Sequence, residues 1–113
     1  MTPAVIETIE TVVAAGGDVD DVLRATVRHL AEAPGVSWAG IRFVEAGELV
    51  LGPAAGVEDP ATARRATITY RGAPVGELVV HGDADPVLLA RVGELVAPYV
   101  LLGWDTGGED WSP

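Results

Sequence analysis

The hydrophobic pattern of residues 36–52 predicts the hairpin around which the rest of the chain is arranged. Two apolar runs, 36–44 and 48–51, are separated by a short connection that contains Gly47. A glycine-containing connection between two β-rich runs is typical of a β-hairpin, because glycine readily adopts the positive φ that the turn requires. We therefore expect two antiparallel strands in this segment.

The first of these strands has two different faces, because successive side chains on a strand point in opposite directions. One face is apolar and is expected to join the core; it carries Ala39, Ile41 and Phe43. The other face combines a large aromatic ring, a gap and a cation; it carries Trp38, Gly40, Arg42 and Val44. That mixture is typical of a surface that contacts a ligand or a partner.

The hydrophobic pattern also predicts three helices. Apolar residues at helical spacing predict helices over 4–14 and 19–32, and Asp18 is placed to cap the second one. A third helix is expected to begin at Pro86. Its predicted buried stripe consists of Leu88, Val92, Leu95, Tyr99 and Leu102. Because Pro98 lies within this segment, we expect a kink or two abutting helices.

Two further strands complete the pattern. Residues 53–65 are rich in Gly, Pro and Ala, which predicts a loop with one helical turn beginning at Asp59. Alternation then predicts strands over 66–70 and 75–81, joined by a turn over 71–74. The last strand is expected to place Leu78 and Val80 on one face and Val75, Glu77, Val79 and His81 on the other.

The order of these elements predicts an α+β fold. Hairpin connections make the sheet antiparallel, with four or more strands, and the N-terminal and C-terminal helices gather on one of its faces. The second face, or part of it, is left open for a ligand or a partner. Residues 1–103 form the predicted domain, and 104–113 form an acidic tail that carries two of the three tryptophans.

Charge and composition narrow the classes of function. Seventeen acidic residues outnumber seven basic ones, all arginine, and the net charge is −10. Such a charge repels phosphate backbones and anionic lipid, so neither nucleic acid nor a membrane surface is an expected partner. The chain has no cysteine, which excludes disulfides, thiolate metal sites and thiol catalysis. No cofactor or metal site is predicted. The lack of disulfides and of a basic signal-peptide start fits a cytoplasmic protein.

The candidate ligand-binding residues are the polar and aromatic side chains assigned to the open face. They are Trp38, Arg42, Thr67, Thr69, Glu77 and His81. Trp38 fits either the core beneath the helices or the open face. Glu77 is expected to form a cross-strand ion pair with Arg42 or Arg71 rather than to act in catalysis. His81 has no second histidine or paired carboxylate at motif spacing, which favours a strand-end histidine near solvent.

Two segments carry a family resemblance. The run WAGIRFVEAGELVLGPAAG over 38–56, followed by GAPVGELVV over 72–80, resembles the GAF domain. The tryptophan-alanine-glycine start and the leucine-glycine-proline exit of the first hairpin are similar to the branch that contains free methionine-(R)-sulfoxide reductases. The resemblance implies that Trp38 lines the pocket of the family, which favours the open face for its indole.

The chain departs from that branch in three ways. The resemblance implies cysteines as nucleophile and resolving thiol, and this chain has none. The segment that carries those cysteines and roofs the pocket is reduced to residues 53–65. Two aspartates on the last strand of those reductases approach the substrate amine, and the matching positions are Val79 and His81. These departures argue against that activity, and the chain is predicted not to be an enzyme.

Three hypotheses follow for the function. The leading one is a non-catalytic, GAF-like regulatory domain that binds a small ligand or dimerises, as the resemblance implies for GAF domains. The second is an interaction domain of roadblock or longin type, which a helix within 53–65 packed on the sheet would favour. The third is a cysteine-independent enzyme that uses Arg42, Glu77 and His81 on the open face.

A homodimer is also expected. A sheet whose roof is reduced to a short loop exposes apolar area, and such patches often mark an interface. Trp104 and Trp111 in the tail are costly to leave in water. The dimer is predicted to use the terminal helices with Tyr99 and the tail, unless the tail folds back over its own sheet.

Overall fold

Two helices, two β-hairpins and a final helix follow one another along the chain, in a computed structural model that describes residues 3–102. In chain order the elements are α1 (Pro3–Ala15), α2 (Val19–Ala31), β1 (Val36–Glu45), β2 (Glu48–Gly56), β3 (Ala63–Tyr70), β4 (Ala73–Gly82) and α3 (Pro86–Leu102). A short 3₁₀ turn, Pro60–Thr62, precedes β3. This order confirms the predicted α+β class. The predicted tail, 104–113, lies outside the described residues.

The sheet is antiparallel throughout and has the strand order β2-β1-β4-β3. Each hairpin turns through two residues with positive φ. Ala46 and Gly47 have φ values of 51° and 82°, and Arg71 and Gly72 have values of 53° and 83°. Positive φ at both central positions defines a type I′ turn, whose twist matches that of the flanking strands. The hairpin predicted around Gly47 is therefore confirmed.

The core lies between one face of the sheet and the three helices. The strands contribute alternate apolar residues to it, including Ile41, Phe43 and Leu78, while the helices contribute Leu23 and Val92. The opposite residues of β1 and β4 point away from the helices. The predicted alternation of β1 is thus confirmed, because Ala39, Ile41 and Phe43 are all buried in this layer.

Local contacts fix the ends and the mutual packing of the helices. The Asp18 carboxylate accepts a hydrogen bond from the N–H of Asp20 at 2.9 Å, which caps α2 as predicted. Arg91 of α3 donates to Glu10 of α1 at 3.2 Å, and hydrogen bonds to Glu10 and then Glu94 raise the pKa of Arg91.

The position of Tyr99 bears on the expected dimer. Its hydroxyl donates to the carbonyl of Val13 at 3.3 Å, so the ring lies between α3 and α1 of its own chain. This contact occupies Tyr99 within one chain, and the homodimer stays a prediction.

The buried stripe of α3 differs from the predicted one. The fully buried aliphatic residues are Leu89, Val92, Val96 and Val100, whereas Leu88, Leu95 and Tyr99 are half-buried. Both stripes are apolar, so periodicity could not choose between them. Gly93 faces Ile68 of β3 at the contact between α3 and the sheet. α3 is one helix that contains Pro98, so two abutting helices are not formed.

The loop predicted over 53–65 is wrong at both of its ends. β2 continues to Gly56 and β3 begins at Ala63, which leaves only residues 57–62 as a connection. A register shift opposite Gly40–Arg42 accommodates Pro53, because an edge strand with a bulge tolerates proline. The predicted helical turn is present as Pro60–Thr62, but none of its residues is buried. In the segment 53–65 no helix packs on the sheet, so the feature that would favour a roadblock or longin domain is missing.

Substituting Gly93 by alanine is expected to stabilise the protein by about 0.5–1 kcal/mol. Alanine loses less conformational entropy than glycine in a helix interior. The added methyl group would lie 3.6 Å from Cγ1 of Ile68, an ordinary contact. Urea unfolding followed by circular dichroism measures the change in the free energy of unfolding.

The matched control is Gly76→Ala, for which the opposite sign is expected. A methyl group there would collide with the carbonyl oxygen of Arg42 and approach Cγ1 of Val100 to 2.8 Å. A destabilising Gly93→Ala would contradict the space for a methyl group beside Ile68, and a neutral Gly76→Ala would contradict the close approach of Arg42 and Val100 to β4.

Candidate functional site

The cross-strand register arranges the open face of the sheet in three rows. The end row contains Gly56, Trp38, His81 and Ala63. The middle row contains Ala54, Gly40, Val79 and Arg65. The polar row contains Leu51, Arg42, Glu77 and Thr67. The register therefore places Trp38 beside His81, and Arg42 and Thr67 on either side of Glu77.

Trp38 lies flat on the open face instead of standing away from it. Its ring occupies the space above Gly40, where a Cβ would come within 2.5 Å of Cη2 of the indole. Its ring also stacks on His81, with a centroid separation of 4.4 Å and an interplanar angle of 28°. The indole is on the predicted face, but only 6% of Trp38 is exposed. It therefore fills part of that face and leaves little aromatic surface free.

His81 is buried, which corrects the expectation of a histidine near solvent. It is 5% exposed, and its Nδ1 accepts a hydrogen bond from the N–H of Asp59 at 2.9 Å. Because Nδ1 acts as an acceptor, the neutral ring carries its proton on Nε2. The physical cause of the burial is the connection between β2 and β3, which the sequence pattern could not place above this strand.

We call residues 57–62 the crossing segment, because they connect the two edge strands past the ends of β1 and β4. Its first residue, Val57, donates its N–H to the carbonyl of Ser37 at 2.8 Å. Asp59 then bonds to His81, and the hydroxyl of Ser37 donates to the carbonyl of His81 at 3.3 Å. These contacts fasten the crossing segment to both central strands, above the end row.

The polar row is organised by Glu77. Its Oε1 lies 3.6 Å from NH1 of Arg42 and 3.8 Å from Nε of Arg65. The predicted ion pair with Arg42 is present, whereas the alternative partner Arg71 instead lies over the ring of Tyr70, 5.4 Å from its centroid. Sequence reasoning missed Arg65, although it alternates with Thr67; the predicted strand began too late to include it.

Glu77 also carries an unmet hydrogen-bonding requirement. Its Oε1 is buried and has no hydrogen-bond partner within the described part of the chain. Both arginine nitrogens lie beyond hydrogen-bond distance, so they offset the charge without completing a hydrogen bond. An unsatisfied buried acceptor costs about 1–3 kcal/mol, and more when it is charged. Because this atom is covered, a donor from a bound molecule reaches it only when one of the neighbouring arginine side chains moves aside.

Thr69 does not join the other predicted residues. A register shift between Ile68 and Thr69 places Thr69 opposite Pro74, beyond the polar row. The six predicted residues thus divide into a covered pair, Trp38 and His81, a polar group, and Thr69 by itself. Ligand binding by any of them stays a prediction.

Residues 3–102 contain no group of three or more His, Asp or Glu side chains that could hold a metal ion. In the same region no helix is both long enough and apolar enough to cross a bilayer.

Comparisons with known proteins identify the fold. No family model matches the sequence, and no curated protein matches it. Among solved structures, the chain is similar to the GAF domain of an Acinetobacter phosphoenolpyruvate-protein phosphotransferase, with 13% identity, a TM-score of 0.72, and coverage of 97% of this chain and 100% of that one.

Two reductases of similar fold complete the comparison. The type II free methionine-R-sulfoxide reductase from Thermoplasma acidophilum has 19% identity and a TM-score of 0.64, and the match covers 77% of this chain and 98% of that one. The free methionine-R-sulfoxide reductase from Neisseria meningitidis, solved in complex with its substrate, has 20% identity and a TM-score of 0.70, over 85% and 86%. The fold of this chain is therefore GAF-like, as the sequence resemblance implied.

The reductases correct one prediction from the sequence. The chain was predicted not to be an enzyme, but solved structures with the same fold are enzymes. The lack of cysteine removes thiol chemistry from this chain. The lack of thiol chemistry does not exclude other catalysis on this fold. The prediction that the chain is not an enzyme is therefore wrong.

Replacing His81 by phenylalanine is expected to loosen the crossing segment while preserving a stacked ring beside Trp38. The substitution removes the Nδ1 acceptor, so the N–H of Asp59 loses its protein partner. A lost hydrogen bond of about 1 kcal/mol corresponds to roughly fivefold faster exchange of the Asp59 amide through local opening. Hydrogen exchange followed by NMR measures this rate.

His29→Phe is the control, because the other histidine lies in the last turn of α2, next to residues of α1. An Asp59 amide that exchanges equally fast in the parent protein and in His81→Phe would contradict the role assigned to His81.

Proposed function

We propose that this chain is a GAF-like regulatory domain that binds a small zwitterionic molecule of the amino-acid type on the polar row. The observation that carries the proposal is the buried Oε1 of Glu77, which lies between two arginines and lacks a hydrogen-bond donor. A ligand ammonium group supplies such a donor and a compensating positive charge. Hydrogen bonds that involve charged groups are about twice as strong as neutral ones.

The arginines give the ligand a second recognised group. The side chains of Arg42 and Arg65 are both partly exposed, and neither is within hydrogen-bond distance of Glu77. A guanidinium group presents paired N–H donors whose geometry fits a carboxylate. The exposed Thr67 lies opposite Glu77 and offers a hydroxyl group. An ammonium and a carboxylate separated by a short distance match this set of groups.

Leu51 supports an apolar part of the ligand. It lies opposite Arg42 at the edge of the polar row, and 51% of it is exposed. A short aliphatic chain placed against it would remove apolar surface from water, at about 25 cal/mol per Å². The proposed ligand class thus has an ammonium group, a carboxylate and a small apolar chain.

The position of the proposed site also fits the departures from the reductase pattern. The positions that match the reductase aspartates hold Val79 and His81, and neither side chain has a carboxylate. Val79 is buried, and His81 is stacked on Trp38. Glu77 lies on the same face, one alternation step before Val79. The name of the reductases describes a free amino-acid derivative as their substrate, which supports the ligand class by analogy.

A thermal-shift screen of the full chain tests the proposal. Free amino acids, including methionine sulfoxide, are compared with matched monocarboxylates and monoamines that lack the second charge. The zwitterions alone are expected to raise the melting temperature. A ligand at a hundredfold excess over its Kd stabilises by about 2.7 kcal/mol, which is roughly a 10 °C shift for a domain of this size.

Glu77→Gln is the diagnostic variant, because it keeps the shape of the side chain and removes its charge. Its affinity for the best zwitterion, measured by calorimetry, is expected to be at least tenfold weaker. Glu94→Gln is the matched control, since Glu94 is an exposed acid on α3 that pairs with Arg91. The proposal fails if no zwitterion stabilises the parent protein, or if Glu77→Gln binds as tightly as the parent.

A further inference from the structure

An exposed apolar run on β2 is longer than the proposed ligand site requires, since that site uses only Leu51. Leu49, Val50 and Leu51 are consecutive and are 47%, 40% and 51% exposed. Val44, opposite Leu49 on β1, is 42% exposed. Soluble proteins usually protect an edge strand with charges, proline or a bulge, and here proline and the bulge begin only after Leu51. The run is therefore an unprotected apolar edge.

The hydrogen-bonding groups of this edge follow from the hairpin register. Glu45 and Glu48 flank the two-residue turn, and residues in that position form a hydrogen-bonded pair. Such pairs alternate along an antiparallel ladder, so Val50 directs its N–H and C=O toward β1. Leu49 and Leu51 direct theirs outward, past the edge of the sheet.

We propose that two copies of this chain associate by antiparallel pairing of their β2 edges, with the two-fold axis passing beside Val50. All three residues of the run are aliphatic, so a second copy of the same run places an aliphatic side chain opposite each of them, in an isologous contact. In this register Leu49 forms a hydrogen-bonded pair with Leu51 of the partner subunit. Val50 faces Val50 of the partner subunit as a non-hydrogen-bonded pair.

The charges around the run fit this register. Glu48 falls opposite Gly52 of the partner subunit, so no two carboxylates face each other across the new ladder. Each chain carries a net charge of −10, which repels a second copy at long range. The uncharged run is the surface on which that repulsion is offset by apolar burial, and salt weakens the repulsion without weakening the burial.

The exposed aliphatic residues of the helices form no comparable surface in the described part of the chain. Val87 and Leu101 are exposed, but they lie near opposite ends of α3. The proposal therefore places the dimer contact at the β2 edge, whereas the sequence prediction placed it at the terminal helices and the tail.

Analytical ultracentrifugation of the full chain gives the first readout. The proposal expects a monomer–dimer equilibrium in the micromolar range, whose dissociation constant falls at least threefold between 50 and roughly 500 mM NaCl as repulsion is screened. A monomer at high micromolar concentration in both salts would overturn it.

A cysteine scan gives the second readout, because the parent chain has no cysteine to interfere. In a non-hydrogen-bonded antiparallel pair the Cα atoms are about 4.5 Å apart, within the range that a disulfide spans. The two copies of residue 49 are on the order of 8 Å apart in the proposed register, and so are those of residue 51, which is too far.

Under mild oxidation, Val50→Cys is expected to form a disulfide-linked dimer at least tenfold faster than Leu49→Cys or Leu51→Cys. Val87→Cys measures random collision at a more exposed site on α3. A dimer in the ultracentrifuge whose Val50→Cys variant links no faster than Val87→Cys would overturn this interface. A failure of the zwitterion screen leaves this result unaffected. The two proposals share Leu51, but Glu77 and its arginines, on which ligand binding rests, take no part in the pairing of the β2 edges.

Discussion

The crossing segment joins strands that lie at opposite edges of the sheet, and its short length constrains the whole open face. Passing β1 and β4 requires about 14 Å at the usual strand spacing, whereas the stretch from Gly56 to Ala63 spans at most about 25 Å when fully extended. The chain therefore has room for the 3₁₀ turn Pro60–Thr62 but not for a longer helix that would form a raised roof. It runs close to the sheet, where Ser37 and His81 accept hydrogen bonds from Val57 and Asp59.

The composition of the open face follows from that constraint. With the crossing segment pulled down on His81, the indole of Trp38 lies between this ring and Gly40, where any larger residue would collide with it. The end and middle rows are thereby filled by the side chains of the protein itself. The group that lacks a hydrogen-bond partner within residues 3–102, Oε1 of Glu77, lies in the polar row, between Arg42 and Arg65. Because the crossing segment is short, residues 57–62 do not cover the β2 edge.

The sequence predicted those features that depend on local periodicity. Alternation correctly assigned the faces of β1, because Ile41 and Trp38 differ by an odd number of positions whatever surrounds them. It could not reveal the bulge that separates Thr69 from Thr67, or the burial of His81, because both depend on distant parts of the chain. The stripe of α3 was ambiguous because that helix is apolar on more than one side, and its rotation is fixed by packing in the core, which periodicity does not reveal.

The arrangement of the open face depends on the Trp38 indole, which lies over Gly40 and stacks on His81. Nuclear Overhauser contacts test this arrangement most directly, with the Trp38 resonances assigned by comparison with Trp38→Phe. The account predicts a strong contact between Hη2 of Trp38 and the Hα protons of Gly40, because Cη2 lies within 2.5 Å of the position of a Cβ at residue 40. A missing contact, together with an indole that is readily quenched by iodide, would contradict the account.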